Sequence, residues 1–403
     1  MRKYYFKNFD FILLSIVLIL ISFGLLNIYS ASFTFNTSGM SFYIKQLCWA
    51  LAGLGLIVAI YSLDYEVFLN YAYYYYMFII ILLVFLLLLR VSTKGSSRWL
   101  SLGPFMMQPS EFMKCAVILA LSRYLMDKEK KLKGFADLII PFVIVLVPFF
   151  LVLKQPDLGT ALAFIPIFFI SVYLCDLPYQ YIFYLTTPFV SLLLFKFPVL
   201  WFSFMILLTL IIYFKQPSRV DAWIVITSSI FSGVGQPLLW NFLKDYQKKR
   251  IMVFFNPEID PLGSGYSVIQ SRIAVGSGQF LGKGWLHGSQ NRLNFIPEHH
   301  TDFIFSVIGE EWGFIGGFLL LILFFILIIR ILNIALQAKN KFSTLAASGI
   351  SVIFVYHIVV NIGMAMGVAP VVGVPLPFLS YGGSYLLNFL IMIGILEKIK
   401  DEG

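Results

Sequence analysis

Twelve apolar runs, each near the length needed to cross bilayer hydrocarbon as a helix, leave this chain few folds to choose from. They fall near residues 11–29, 46–62, 71–89, 110–126, 138–153, 159–175, 179–196, 199–214, 221–240, 303–329, 344–365 and 382–398. In lipid, backbone N–H and C=O groups must be satisfied within the protein, so such runs fold as helices. Composition agrees: of 403 residues, 60% are hydrophobic and 12% charged, about half the charge of an ordinary soluble domain. The predicted fold class is an all-α polytopic membrane protein, a helical bundle of about twelve spans forming one domain over residues 1–403. The tenth run is overlong, which predicts tilt or protrusion. The first run follows Arg2, Lys3 and Lys7 and is too long for a signal-peptide core, so it reads as an uncleaved helix.

The net charge of +9 comes from Lys and Arg in short loops, the pattern of a membrane protein, and it excludes a nucleic-acid partner. Lys128, Lys130, Lys131 and Lys133, then Lys215 to Asp221, Arg330 to Lys341, and Lys398 with Lys400 share one side with the N-terminus. That side is the cytoplasm by the positive-inside rule, so both termini are expected there. The long segment 241–302 then lies outside, as do the Gly- and Pro-rich segments Lys94–Ser110, Lys154–Thr160 and Val368–Ser384. Arg90, Lys94 and Arg98 on the outer side break the rule. An anionic ligand on that face would explain them; snorkelling to the interface is the alternative. Cys48, Cys115 and Cys175 have neither metal nor disulfide spacing and are expected to be small buried side chains. Tyr71 to Tyr76 reads as rings at the headgroup level.

Ionisable groups concentrate at Pro297–Phe305 (PEHHTDFIF), followed by Gly309-Glu310-Glu311-Trp312-Gly313. Such groups at a membrane boundary are costly to desolvate and mark function. Asp302 or Thr301 could cap the helix that follows; Asp302 could equally act as a general base toward a sugar hydroxyl. A metal site at His299-His300 is weakly supported, because adjacent histidines diverge and no third ligand has diagnostic spacing. Glu111 and Lys114, three apart, share a helical face, either as a pair or within a polar cavity. The prolines of Lys154–Thr160 (KQPDLGT), and Pro370, Pro375 and Pro377 before Gly382-Gly383, free backbone groups that protein or water must cover. Gly276–Gly284 fails as a P-loop, since the spacing is wrong and Gly284 replaces the required hydroxyl; it reads as a turn shaping the loop surface.

The motifs GSSRWLSLGPFMMQPSEFMK, KQPDLGTA, DYQKKRIMVFFNPEIDPLGSGYSVIQSRIAVGSG, GKGWLHGSQ, IPEHHTDFIFSVIGEEWGFIGG, NIGM and VVGVPLPFLSYGGS together resemble the SEDS (RodA/FtsW/SpoVE) family across nearly the whole chain. GSGQFLGKGWLHGSQ looks like the rod-shape branch rather than the septal FtsW-type branch. The resemblance implies a peptidoglycan glycosyltransferase that polymerises lipid II on the outer face of the bacterial cytoplasmic membrane, for wall elongation and cell shape. The family's loop aspartate falls on Asp302, the Trp of its RW motif on Trp99, and its SE-x-x-K pair on Glu111 and Lys114. Gln155, Asp157, His300 and Ser380 lie in matched motifs as further candidate substrate contacts. Where the family's ten-span pattern has one helix, about seventy residues lie between Cys175 and Asp245, room for an extra pair of spans within 176–240.

A lipid diphosphate leaves as a stable anion, so one base suffices where glycosidases need two carboxylates. Asp302 would take the proton from the acceptor hydroxyl, and a single in-line displacement would invert the donor to a β-1,4 link. Arg98, Lys114, Arg250 and Arg272 are candidate cations for the diphosphate, with a divalent ion (Mg or Mn) as a candidate companion. The resemblance also implies a class B penicillin-binding protein as transpeptidase partner, beside other elongation-machinery membrane proteins. The rivals are a lipid II flippase or transporter, for which broken helices and charged cavities would also serve, and a scaffold that recruits the transpeptidase.

Overall fold

The computed structural model describes residues 9–33, 41–89, 98–102, 105–127, 132, 134–242, 245–261, 263, 265–293, 295–296 and 299–402. Arg2, Lys3, Lys7, Arg90, Lys94, Lys128, Lys130, Lys131, Lys133, Pro297 and Glu298 lie outside the described residues.

All twelve apolar runs are helical. The first three are α1 (Phe11–Ser32), α2 (Phe42–Ser62) and α3 (Tyr65–Leu89), followed by a short antiparallel hairpin of β1 (Leu100–Leu102) and β2 (Phe105–Met107). Next come α4 (Pro109–Asp127), α5 (Phe135–Lys154), α6 (Leu158–Tyr173), α7 (Tyr179–Leu194), α8 (Pro198–Lys215) and α9 (Arg219–Val234). The ninth run is interrupted at Gly235, so its end forms α10 (Gln236–Phe242), and the segment expected to be one long loop holds α11 (Asp245–Phe255), α12 (Tyr266–Ser277) and the single turn α13 (Ser289–Arg292). The chain closes with α14 (Ile304–Gln337), α15 (Lys341–Met366) and α16 (Gly383–Glu402). Among the described residues seven helices, α1, α2, α3, α5, α8, α14 and α15, are long and apolar enough to cross a membrane. The remaining five runs are shorter or more polar.

The reason α4 falls outside that group is its position. It packs against α3, α5, α6, α15 and α16, and every residue from Pro109 to Ser122 is buried. A helix screened from lipid by neighbours can carry charged side chains, which find partners in the protein. At the other extreme α8 packs mainly on α7 and α9 and among its described residues buries Leu208 and Ile212.

The ends of the bundle are marked by two sets of contacts. At one end the Asp10 carboxylate meets Arg330 of α14 at 2.5 Å and Lys400 of α16 at 3.0 Å, and caps α1 through the Leu13 N–H. Burial alone would raise the Asp10 carboxyl, but the hydrogen bonds from Lys400, Leu13 and Arg330 outweigh it and hold the group below its ordinary value. At the other end of α1 the Ala31 carbonyl faces His299 Nε2 at 2.7 Å, four positions before Phe303, the N-cap of α14. The Asp10–Lys400 contact and Asp302 therefore sit at opposite ends of the bundle.

The overlong tenth run is broken rather than simply tilted. Gly313 adopts φ 64° and ψ −161°, splitting α14 after its first nine residues. The break frees two carbonyls and two N–H groups, and the glycine-rich segment fills it. Lys283 and Gly284 N–H groups donate to the Glu310 and Glu311 carbonyls, both at 3.0 Å. Phe314 and Ile315 N–H groups donate to the Gln279 and Phe280 carbonyls at 2.8 and 3.1 Å. The buried Glu310 carboxylate clamps the insert, accepting from Lys283 Nζ at 2.7 Å, Ser289 Oγ at 3.0 Å and the Gln290 N–H at 3.0 Å. Gly276–Gly284 thus ends α12 and forms an exposed turn, as expected, and the backbone of Gln279–Gly284 in addition partners the helix break. Two smaller expectations also change. Cys48 is exposed on α2 whereas Cys115 and Cys175 are buried. Tyr75 and Tyr76 turn inward to the Phe112 and Ile144 carbonyls, while Tyr71 and Tyr74 stay exposed.

A Cβ at Gly313 would fall 2.3 Å from Gly282 N and 2.8 Å from Phe280 O. Gly313→Ala is therefore expected to lose about 1–3 kcal/mol from backbone strain and more from the clash. Gly55→Ala, where nothing lies within 4 Å, should be neutral or gain up to about 1 kcal/mol from helix propensity. Thermal unfolding of the two variants in detergent checks the contrast.

Candidate active site

Asp302 is half-buried in the last turn before α14. The helix begins at Ile304 with Phe303 at its N-cap position. The backbone before it is fastened residue by residue. The His300 carbonyl accepts from the Tyr381 N–H at 2.9 Å. The Thr301 carbonyl accepts from Ser380 Oγ at 2.6 Å, and that hydroxyl in turn accepts from the Leu376 N–H at 2.8 Å. The Asp302 carbonyl accepts from Asn361 Nδ2 at 2.8 Å, and the same amide reaches the Val374 carbonyl at 2.7 Å.

The strap Val371–Tyr381 that receives these bonds is itself held from both sides. Gln46 of α2 donates to the Ser380 carbonyl and accepts from the Gly382 N–H, both at 3.1 Å. Facing the carboxylate is Gly373, at φ 71°, where a Cβ would come within 3.2 Å of Asp302 Oδ2. The His300 ring stacks on Phe42 at 4.6 Å and lies 5.8 Å from Tyr381. Burial pushes the Tyr381 phenol above its ordinary value, so it stays neutral beside them.

Beneath the strap lies a buried polar core built on α4. Lys114 Nζ donates to Glu111 Oε2 at 2.6 Å, and both side chains are 0% exposed. Thr160 Oγ1 donates to the other Glu111 oxygen at 2.9 Å. Lys114 also lies 2.9 Å from His357 Nε2, while His357 Nδ1 lies 2.9 Å from the Pro375 carbonyl. A carbonyl can only accept, so Nδ1 carries the proton and a neutral ring accepts from Lys114 at Nε2. Asp157 caps α6 through the Thr160 N–H at 3.2 Å and accepts from Gln108 Nε2 at 2.7 Å. Lys114 Nζ also lies 5.5 Å from the centre of the Tyr385 ring, at the start of α16.

The other candidates divide. Arg98 stands at the start of the hairpin with its buried Nε lacking a hydrogen-bond partner among the described residues, beside half-buried Trp99. Gln155 donates to the Leu83 carbonyl at 3.2 Å. Arg272 spends its guanidinium on the C-terminus of α15, reaching the Met366 and Gly367 carbonyls at 3.2 and 2.8 Å. Arg250 lines a small cleft with Phe254, Gly367 and Val371. Both His299 nitrogens face carbonyls, of Ile296 and Ala31, each at 2.7 Å, so this ring is not turned toward a metal. Among the described residues no group of three His, Cys, Asp or Glu gathers to hold a metal.

Four residues of this site escape a reading by motif. Asn361 sits in the NIGM run and His357 one turn before it, a lone histidine in an apolar helix; Gln108 precedes the SE-x-x-K pair; Tyr385 follows the SYGGS run. A polar residue at helical spacing from a known motif is the only signal the sequence offered for them.

Comparison with known proteins decides the family. The model described as Cell cycle protein, covering FtsW, RodA and SpoVE, matches residues 11–224 and 199–403. The chain belongs to the FtsW/RodA/SpoVE family. The peptidoglycan glycosyltransferase RodA of Treponema pallidum is 36% identical, with 98% of each chain covered. The peptidoglycan glycosyltransferase MrdB of Escherichia coli K12 is also 36% identical, over 93% of this chain and 90% of its own. A solved chain, described in work on how a peptidoglycan synthase complex coordinates polymerization and crosslinking, superposes with a TM-score of 0.74 at 27% identity, covering 98% of each. The two parts of the family match overlap within α8 and α9.

Removing one member of the buried pair leaves the other charge without its partner. Lys114→Met should cost about 3–5 kcal/mol of stability, and adding Glu111→Gln should recover much of it. Denaturation of both variants in detergent reads the difference.

Proposed function

We propose that this member of the family is a peptidoglycan glycosyltransferase that joins lipid II units into β-1,4 glycan strands, with Asp302 as the general base. The observation that carries the reading is the pinning of the three carbonyls from His300 to Asp302, which fixes the backbone from which the carboxylate projects. A base must be held within hydrogen-bond reach of the proton it takes, and an anchored backbone supplies that at low entropic cost. Asp302 takes the proton of the acceptor 4-hydroxyl as that oxygen attacks the donor's anomeric carbon. The new C–O bond forms as the bond to the diphosphate breaks, and undecaprenyl diphosphate leaves with the electron pair.

Arg98, with its unpartnered buried Nε, is the cation best prepared to meet the diphosphate. Lys114, enclosed by Glu111 and His357, supports the floor of the site, and Arg272 holds the end of α15. Gln108, Gln155, Asp157 and Ser380 shape the walls, and Trp99 with the His300–Phe42 stack offers faces for the sugars. The contacts of Asp10 with Arg330 and Lys400 at the end remote from Asp302, together with the basic loops, support termini in the cytoplasm and a site on the outer face of the bacterial cytoplasmic membrane. The synthase complex described for the solved relative supports a class B penicillin-binding protein as the partner that crosslinks the product.

The purified chain in detergent, given lipid II alone and with its cognate transpeptidase, should yield glycan strands, an outcome that flipping cannot produce. Asp302→Asn should lower the rate at least about 10²-fold while the protein unfolds at the same temperature. Gly373→Ala, which pushes a methyl toward Asp302 Oδ2, should slow the reaction with less effect on lipid II binding. Full-rate synthesis by Asp302→Asn would overturn the reading.

A further inference from the structure

The last carbonyls of a helix have no partner within it, and at the end of α15 they are met from two directions. The Gly363 and Met364 carbonyls accept from the Val368 and Gly367 N–H groups at 2.7 and 3.0 Å. The next three are met by consecutive residues of α12. Ser271 Oγ donates to the Ala365 carbonyl at 2.6 Å. Arg272 donates through Nε to the Met366 carbonyl at 3.2 Å and through a terminal nitrogen to the Gly367 carbonyl at 2.8 Å. A guanidinium also suits the negative end of the helix dipole.

The Ser271 hydroxyl has a second neighbour, Ser306 Oγ of α14, at 2.5 Å. A hydroxyl carries one hydrogen, and that of Ser271 goes to a carbonyl that can only accept, so Ser306 donates and Ser271 accepts. Both serines are 0% exposed. The chain Ser306 to Ser271 to Ala365 therefore ties α14 to α15 through α12. Its register is informative. Ser306 lies four residues after Asp302, and Ala365 lies four residues after Asn361, whose amide holds the Asp302 carbonyl. The Asn361–Asp302 bond and the serine bridge are thus two rungs, about one turn apart, between the same two segments. One rung would let the segments pivot; two fix their separation and their tilt.

We infer that Ser271 is a positioning residue for Asp302, and that Arg272 completes the clamp on α15 rather than meeting the diphosphate. The inference rests on Asp302 being the base. An apolar pair at this crossing would pack over a range of offsets, whereas a chain of hydrogen bonds has a defined length and direction. The surrounding backbones leave it little play: a Cβ at Gly309 would come within 3.0 Å of Val275 Cγ2, and one at Gly278 within 1.9 Å of the Gly309 carbonyl. Losing the bridge frees the turn that carries Asp302 from its second rung, and a displacement of about 1 Å at a reacting group costs up to about 10²-fold in rate.

The test is steady-state polymerisation of lipid II by the purified full chain in detergent. Ser271→Ala and Ser306→Ala should each lower kcat at least about tenfold, with KM changed less than about twofold. Both break the same rung, so the double variant should be no slower than the slower single one. Arg272→Met should lower kcat and leave KM and inhibition by undecaprenyl diphosphate unchanged. Wild-type kcat in Ser271→Ala, a loss confined to KM, or multiplied losses in the double variant would overturn the positioning role. Weaker inhibition by undecaprenyl diphosphate in Arg272→Met would return that guanidinium to the substrate. Should Ser271→Ala fail to fold, Ser306→Ala decides, since it leaves the Ser271–Ala365 bond in place. Asp302→Asn assayed beside them separates the two readings: full rate there removes the base itself, whereas a slow Asp302→Asn with fast serine variants removes only the second rung.

Discussion

Three consecutive carbonyls, those of His300, Thr301 and Asp302, each accept a hydrogen bond from a different donor: the Tyr381 N–H, Ser380 Oγ and Asn361 Nδ2. The catalytic reading depends on this arrangement more than on any property of the carboxylate itself. A loop at the membrane edge would otherwise sample many conformations, and each residue ordered costs about 1–2 kcal/mol in backbone entropy. Here that ordering is met by α15 and by the strap before α16, which is itself tied to α2 through Gln46. Residues more than fifty positions apart in sequence thus fix one side chain.

The polar core under the strap shows how a membrane bundle tolerates charge. Glu111 and Lys114 are wholly buried, yet each has further partners, Thr160 for the acid and His357 for the ammonium. Buried ion pairs of this kind contribute little net stability, but they penalise any packing in which one partner is lost. His357 and Asn361 lie one turn apart on α15 and bond the neighbouring carbonyls of Pro375 and Val374. The ion pair and Asp302 are consequently registered against the same short stretch of strap. A shift of that stretch would be felt by both.

The broken helix solves a related problem. A continuous α14 would be too long for a bilayer, and breaking it exposes backbone groups that lipid cannot satisfy. The Gln279–Gly284 segment supplies the four missing partners, and Glu310 locks it in place. The short helical piece that follows Asp302 is therefore braced on one side by the plug and on another by α12, where Ser271 bonds Ser306 at 2.5 Å. Rigid elements position a reacting group better than a free loop does.

The sequence by itself determined the membrane class, the twelve helical segments, the family and the place of Asp302, because apolar run length and local motifs are properties of contiguous residues. It also determined that Glu111 and Lys114 share a helical face, since spacing of three does so in any α-helix. What it could not yield were the contacts between distant segments. Nothing local to Gly276–Gly284 says that it enters a helix break near Gly313, nor that Arg272 turns to the end of α15 while Arg98 keeps an unpartnered nitrogen. His357 and Asn361 are single polar residues in an apolar helix, and their roles exist only once the strap is laid across them. Tertiary structure decided these points because hydrogen bonds are satisfied by whichever group folding brings near, and sequence separation sets no limit on that.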